Sequence, residues 1–215
     1  MPQQTALAPR NSRSVSGEAD HRVANSLAVI AGLVRAGAAK AGNSADPKVF
    51  LMEIADRIDA VGKLHHLIAR SNTGSVQLSK YLQEICKQLS SALSPKATSF
   101  SFTCAQEHLV PFSLALPLGL ITAELLSNSL KYAHPAGLPV KIALSCSSAD
   151  AGALRLVYED DGVGFPEDFD VEADGNLGMH LIRSLSKDLK GTPNWLSDPL
   201  GIRFEIVIPM LVGDF

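Results

Sequence analysis

The chain has 215 residues, 46% of them hydrophobic and 19% charged, with 19 basic side chains against 22 acidic ones and a net charge of -3. That length and apolar content allow one or two domains with a buried core and exclude disorder along the whole chain. The slight acidic balance argues against a general nucleic-acid binder, which needs a basic surplus to meet phosphates.

Cys86, Cys104 and Cys146 are far apart in sequence and form no CxxC. Free or buried thiols in a reducing compartment are expected, with neither a disulfide framework nor a zinc site. The N-terminus is polar and lacks the apolar core of a signal peptide. The long uncharged stretch from Leu109 to Ala123 is short for a membrane span and carries Pro111 and Pro117. A soluble, cytoplasmic protein without a membrane span is expected.

Residues 1–17, rich in Ser, Gln, Pro and Arg, read as a flexible tail. A helical pattern runs from Glu18 to Ala39, and turn residues at 41–47 break it. Asp46-Pro47 opens a second helix as N-cap and first-turn proline. That helix reaches about Arg70, with Phe50, Ile54, Ile58, Val61, Leu64 and Ile68 at helical spacing. Residues 18–72 therefore form a helical hairpin. It cannot bury its apolar stripes alone, and either becomes a four-helix bundle in a dimer or packs on the rest of the chain.

Residues 73–215 alternate helices and strands. The pattern predicts a helix over Val76–Leu93, a strand over Thr98–Cys104 and a helix over Leu114–Ala133. Strands follow over Val140–Ser145 and Leu154–Glu159, then a helix over Gly178–Lys190 and a closing strand over Gly201–Pro209. The fold class is α+β, with the second unit a two-layer sandwich of sheet and helices. Trp195 is expected in the core or at a sheet edge.

On the first helix, Val23, Leu27, Ile30 and Val34 share a stripe expected to be core, and His21 lies roughly 180–240° away from it. Glu18 and Asn25 flank His21 on its own face, and the small Ala28 and Gly32 leave that face open to a partner. An exposed neutral imidazole is a nucleophile, and a carboxylate such as Glu18 can orient it or take its proton. A solvated surface histidine gives the same pattern, so support must come from elsewhere in the chain.

On the helix over Leu114–Ala133, Glu124, Asn128 and Lys131 fall at i, i+4 and i+7 on one face. The Asn128 oxygen suits Mg²⁺, Lys131 suits phosphate, and Glu124 can order a water or take a proton. A merely solvated polar face is the competing reading. The strand over Leu154–Val157 then enters Asp160-Asp161-Gly162-Val163-Gly164, a D-x-G-x-G turn. Its glycines let backbone approach a ligand, and Asp160 can accept an adenine amino proton. Gly175-Asn176-Leu177-Gly178 opens the next helix, whose free N–H groups can cradle phosphates.

In this order the segments resemble the ATP-binding domain of histidine kinases and of the gyrase, Hsp90 and MutL ATPases, a Bergerat-type α/β sandwich. Glu124–Tyr132 looks like the N box, Asp160–Gly164 like the G1 box and Gly175–Gly178 like the G2 box. Glu18–Leu27 resembles the H box of the HisKA_2 and HWE-type histidine kinases, whose phosphoacceptor would here be His21. Relatives carry Lys where Ala24 stands, His where Tyr132 stands and Asn where Ala123 stands. The segment Pro166–Asp174, which would be the ATP lid, is short and acidic.

The resemblance implies ATP and Mg as cofactors, with Asn128 on the metal, Lys131 at phosphate, Asp160 at adenine, and Gly162, Gly164, Gly175 and Gly178 shaping the pocket. It implies His21 as the catalytic nucleophile with Glu18 or Glu124 assisting proton removal. The partners would be the aspartate of a response-regulator receiver domain and a second copy of the chain. Only a short stretch precedes His21, so the sequence is either the core of a longer protein or takes its input from a separate sensor protein. Two alternatives stay open: a histidine phosphotransferase relay that uses no ATP, and a hydrolytic ATPase in which Glu124 activates water.

Overall fold

The computed structural model describes residues 30–32, 34, 47–69, 75–93, 98–104 and 108–210. Glu18, His21 and the expected tail over 1–17 lie outside the described residues. Of the first expected helix, Ile30, Ala31, Gly32 and Val34 are described and helical; Ile30 packs against the core as expected, whereas Val34 of the same stripe is exposed. Helix α1 (Pro47–Ala69) starts at the expected first-turn proline. It buries Ile54, Val61 and Leu64 and leaves Leu51 and Met52 exposed.

The second unit begins with a short strand rather than a helix. Strand β1 (Ser75–Gln77) pairs antiparallel with β3 (Leu109–Pro111) in a two-stranded sheet. Helix α2 (Leu78–Leu93) follows β1 and turns Leu78, Tyr81, Leu82, Ile85 and Cys86 inward. Helix α3 (Phe112–Asn128) is apolar nearly all round, because other helices and the sheet cover it. With its continuation to Ala133 it is long and apolar enough to cross a membrane, yet 67% of its most apolar 18 residues are buried inside the fold. Gly119 lets α2 approach α3 closely: a Cβ there would lie 2.9 Å from the Tyr81 ring.

The main sheet has five strands in the order β2-β4-β5-β7-β6. They are β2 (Ser99–Cys104), β4 (Lys141–Ser148), β5 (Leu154–Asp160), β6 (Thr192–Asp198) and β7 (Gly201–Ile208). Only the β2–β4 pair is parallel. Alternation sets which residues face the helices. Ile142, Leu144 and Cys146 of β4, Leu156 and Tyr158 of β5, and Phe204, Ile206 and Ile208 of β7 are all buried. Helix α4 (Leu177–Asp188) joins α2 and α3 on that face, which completes the two layers.

Strand β6 was not expected from sequence. Its residues Thr-Pro-Asn-Trp-Leu-Ser-Asp carry turn formers and little alternation, but an edge strand tolerates both. Trp195 sits on this edge, its ring 4.6 Å from that of Phe204. The expectation of three free thiols is also corrected. Register places Cys104 opposite Cys146 on adjacent strands, and the two are joined as a disulfide, while Cys86 is free and buried. The 42-residue separation hides that pairing from a reading of spacing alone.

Candidate functional site

A cavity of about 460 Å³ opens between α3, the end of β5 and the start of α4. Its lining includes Asn128, Asp160, Gly164 and Gly175 among the residues singled out in the sequence. Glu124, Lys131, Gly162 and Gly178 are not part of the lining. Residues to which the sequence reading gave no role also line it: Ser129, Tyr132, Tyr158, Phe165, Phe169, Asn176, Met179 and Trp195.

Asp160 is the last residue of β5, and its carboxylate is held on both oxygens. Oδ1 accepts from Gly162 N at 3.0 Å and from Ile202 N at 3.3 Å. Oδ2 lies 2.5 Å from Ser129 Oγ, which in turn accepts from the Tyr158 hydroxyl at 2.9 Å. Ser129 Oγ is also 3.1 Å from Leu125 O, but it has one proton, and the charged acceptor is the stronger partner. Burial pushes the Tyr158 phenol well above its ordinary value, which keeps it a donor. Asp160 therefore presents a fixed, oriented carboxylate in a mainly apolar cavity, a suitable acceptor for one exocyclic amino group.

The end of α3 explains why Tyr132 lines the cavity and Lys131 does not. Residues Ser129–Ala133 form a π turn, in which each bond skips one residue more than in an α-helix. The extra residue breaks the 100° periodicity that placed Lys131 on the face of Glu124 and Asn128. Lys131 is exposed instead. The G1 turn packs on this π turn, with Val163 N donating to Ala133 O at 3.0 Å. Gly164 follows with φ +76°, a left-handed conformation that favours glycine. Phe165 N then donates to Ser197 Oγ at 2.7 Å.

Helix α4 is capped by Asn176, whose side chain accepts from Met179 N at 3.1 Å. Its Nδ2 reaches Asn128 Oδ1 at 3.4 Å, so the two asparagines meet at the mouth of the cavity. The cap was legible in principle, since Asn immediately before an apolar helical run is an N-terminal signal. The segment over 166–174 is folded into turns against α4. Arg183 Nη1 donates to Val171 O at 2.5 Å and to Asp174 O at 3.0 Å. Phe165 stacks on Phe169 at 4.6 Å and tilts against Trp195 at 5.6 Å, forming one aromatic wall.

Glu124 is buried beside this site rather than in it. Its carboxylate pairs with Arg57 of α1, with Nε to Oε1 at 2.9 Å and Nη2 to Oε2 at 3.1 Å. On the far side of the G1 turn, Asp161 accepts from Lys141 N at 2.7 Å and lies 3.2 Å from His134 Nε2. Burial pushes the Asp161 carboxyl up, but the Lys141 amide and His134 together outweigh it and hold the group below its ordinary value. The cavity suits a purine nucleotide: a fixed carboxylate for one amino group, aromatic walls for a ring, and a helix N-terminus with paired carboxamides for phosphates and a hard cation. A wider depression of about 590 Å³ lies on the open face of the sheet. The ion pair of Arg203 with Glu159 lies on its wall, beside Phe100, Leu196 and Leu200.

Residues 18–93 match the HisKA_2 histidine kinase family, and residues 114–212 match the histidine kinase-, DNA gyrase B- and HSP90-like ATPases. The chain is 28% identical over 198 residues to blue-light-activated histidine kinase 2 of Erythrobacter litoralis, covering 90% of this chain and 56% of that protein. It is 26% identical over 177 residues to the sensor histidine kinase PdtaS of Mycobacterium tuberculosis, covering 81% of this chain and 35% of that protein. The chain thus spans about half or less of the length of these relatives. The histidine kinase domain of the Erythrobacter litoralis EL346 blue-light-activated kinase superposes with a TM-score of 0.63 at 26% identity, over 83% of this chain and 95% of that domain.

Proposed function

Since the chain belongs to the histidine kinases, joining a HisKA_2 segment to a histidine kinase-type ATPase domain, we propose that it phosphorylates itself on His21 and passes the phosphoryl group to an aspartate of a response-regulator receiver domain. The observation that carries this reading is the Asp160 carboxylate, fixed by Ser129, Gly162 and Ile202 within an aromatic-walled cavity beside the start of α4. Asp160 would accept from the adenine amino group. Asn128 Oδ1 would ligate Mg²⁺, and the first turn of α4 would face the phosphates. Mg-ATP supplies the phosphoryl group that ends on the imidazole.

The remaining chemistry belongs to the chain's own residues. The His21 imidazole is the nucleophile. Glu18, three residues before it in the sequence, takes the ring proton. The segment over 166–174, tied to α4 by Arg183, screens the cavity from water. Exposed Leu51 and Met52 on α1, with Val34 at 47% exposure on the preceding helix, leave an apolar surface that a second copy would cover as a four-helix bundle. An activity that needs ATP and a receiver domain would work in the cytoplasm.

Titrating the full chain with ATP, with and without Mg²⁺, tests the reading through the fluorescence of Trp195, the chain's only tryptophan. Saturable quenching that tightens with Mg²⁺ is the expected result. A chain that binds no adenine nucleotide would be a phosphotransfer relay instead. A chain that binds ATP and releases free phosphate equally well after His21→Gln would be a hydrolytic ATPase.

A further inference from the structure

Arg57 lies on the buried stripe of α1, three residues after Ile54 and four before Val61. A guanidinium there needs a partner, and it finds one on another unit of the chain: the Glu124 carboxylate of α3, 67 residues away. The side chains are 12% and 11% exposed. A carboxylate held in a buried ion pair with a guanidinium is a poor proton acceptor, because protonation would take away the charge that the guanidinium faces inside the protein.

The same carboxylate touches a third element. A Cβ built at Gly178, in the first turn of α4, would fall on Glu124 Oε2 and lie 3.2 Å from Arg57 Nη2. The positive end of a helix favours an anion and disfavours a cation, so the Glu124 carboxylate suits that place and offsets the charge of the guanidinium beside it. The pair therefore sits where the hairpin, the N-box helix and the glycine-opened helix converge.

We infer that Arg57 and Glu124 form a docking pin, both acting as positioning residues that hold the hairpin at the phosphate end of the cavity, and that Glu124 is not the base for the imidazole proton. The inference rests on the phosphotransfer reading above and deepens it. It assigns Arg57, on the hairpin, to the geometry of the reaction.

The test uses the full chain with Arg57→Gln, Glu124→Gln, the double variant and Arg57→Lys. Three quantities are read: the rate and pH profile of His21 labelling from Mg-ATP, ATP affinity by Trp195 fluorescence, and amide hydrogen exchange over 47–69. Each single Gln variant should slow labelling by about 100-fold, the scale of a small misplacement of reacting groups. ATP affinity should stay within about threefold, which also shows that the ATP-binding unit is folded. The double variant should be no slower than either single one, exchange over 47–69 should quicken in all three, and the pH profile should keep its shape. Arg57→Lys, which keeps the charge, should recover part of the rate. Native-rate labelling in Arg57→Gln beside a silent Glu124→Gln would overturn the inference, as would multiplying losses in the double variant. If the native chain takes no label, the exchange data decide alone: quickened exchange keeps the pin and removes the kinase reading, whereas unchanged exchange removes the pin.

Discussion

Asp160→Asn separates nucleotide recognition from folding, because the substitution keeps the shape of the side chain and removes its charge. The new Asn oxygen can still accept from Gly162 N and Ile202 N. Its amide nitrogen replaces Oδ2 and can donate to Ser129 Oγ, which has two lone pairs and can still accept from the Tyr158 hydroxyl. The Ser129 proton then turns to Leu125 O, 3.1 Å away. Every buried partner stays satisfied, so the loss of stability should be about 1 kcal/mol or less. In the cavity, by contrast, a donor replaces a charged acceptor. The adenine amino group loses a charge-assisted hydrogen bond of about 1.5–3 kcal/mol. That corresponds to an increase in Kd for ATP of about 10- to 150-fold. Titration of Trp195 fluorescence, with thermal melts of the same samples, measures both effects. ATP binding within about threefold of native at an unchanged Tm would refute the assignment of Asp160 to the base, since it would leave no room for the lost bond.

Three further outcomes follow from the geometry. Gly164→Ala should destabilise the chain by about 1–3 kcal/mol in urea melts and weaken ATP binding, because φ is +76° there and the new Cβ meets Ser197 Oγ at 2.8 Å. Burial pushes the Cys86 thiol up to about 12, so it should resist a maleimide at about pH 8 in the native chain and react once urea unfolds it. Asp161 is held below its ordinary carboxylate value, so its contribution to stability is present above the unfolded value and fades as pH falls through the lowered one. Asp161→Asn should therefore flatten the acid limb of Tm against pH below about pH 5, and a limb as steep as native would count against the His134 and Lys141 contacts.

Features carried by local chemistry could be read from the sequence. The D-x-G-x-G turn after an apolar strand, the glycine-opened helix and Pro47 at the start of α1 each depend on a few neighbouring residues. Features set by tertiary context could not. Strand β6 exists because β7 offers a free edge, and its own residues scarcely favour a strand. The π turn at Ser129–Ala133 leaves Lys131 exposed and brings Tyr132 to the cavity, a shift that an ideal period of 3.6 cannot show. Arg57 left a trace, a charge within the Ile54–Val61–Leu64 stripe, but its partner Glu124 is known only once α1 and α3 are packed. Cys104 and Cys146 meet through sheet register in the same way.

The central claim is that a nucleotide seated against Asp160 gives up its terminal phosphoryl group to the hairpin. The most direct measurement incubates the full chain with γ-labelled Mg-ATP and maps the site of any acid-labile, base-stable label by mass spectrometry. The account predicts label on the peptide carrying His21, lost in His21→Gln and strongly reduced in Asp160→Asn. Label at another residue, or label released only as free phosphate, would contradict it.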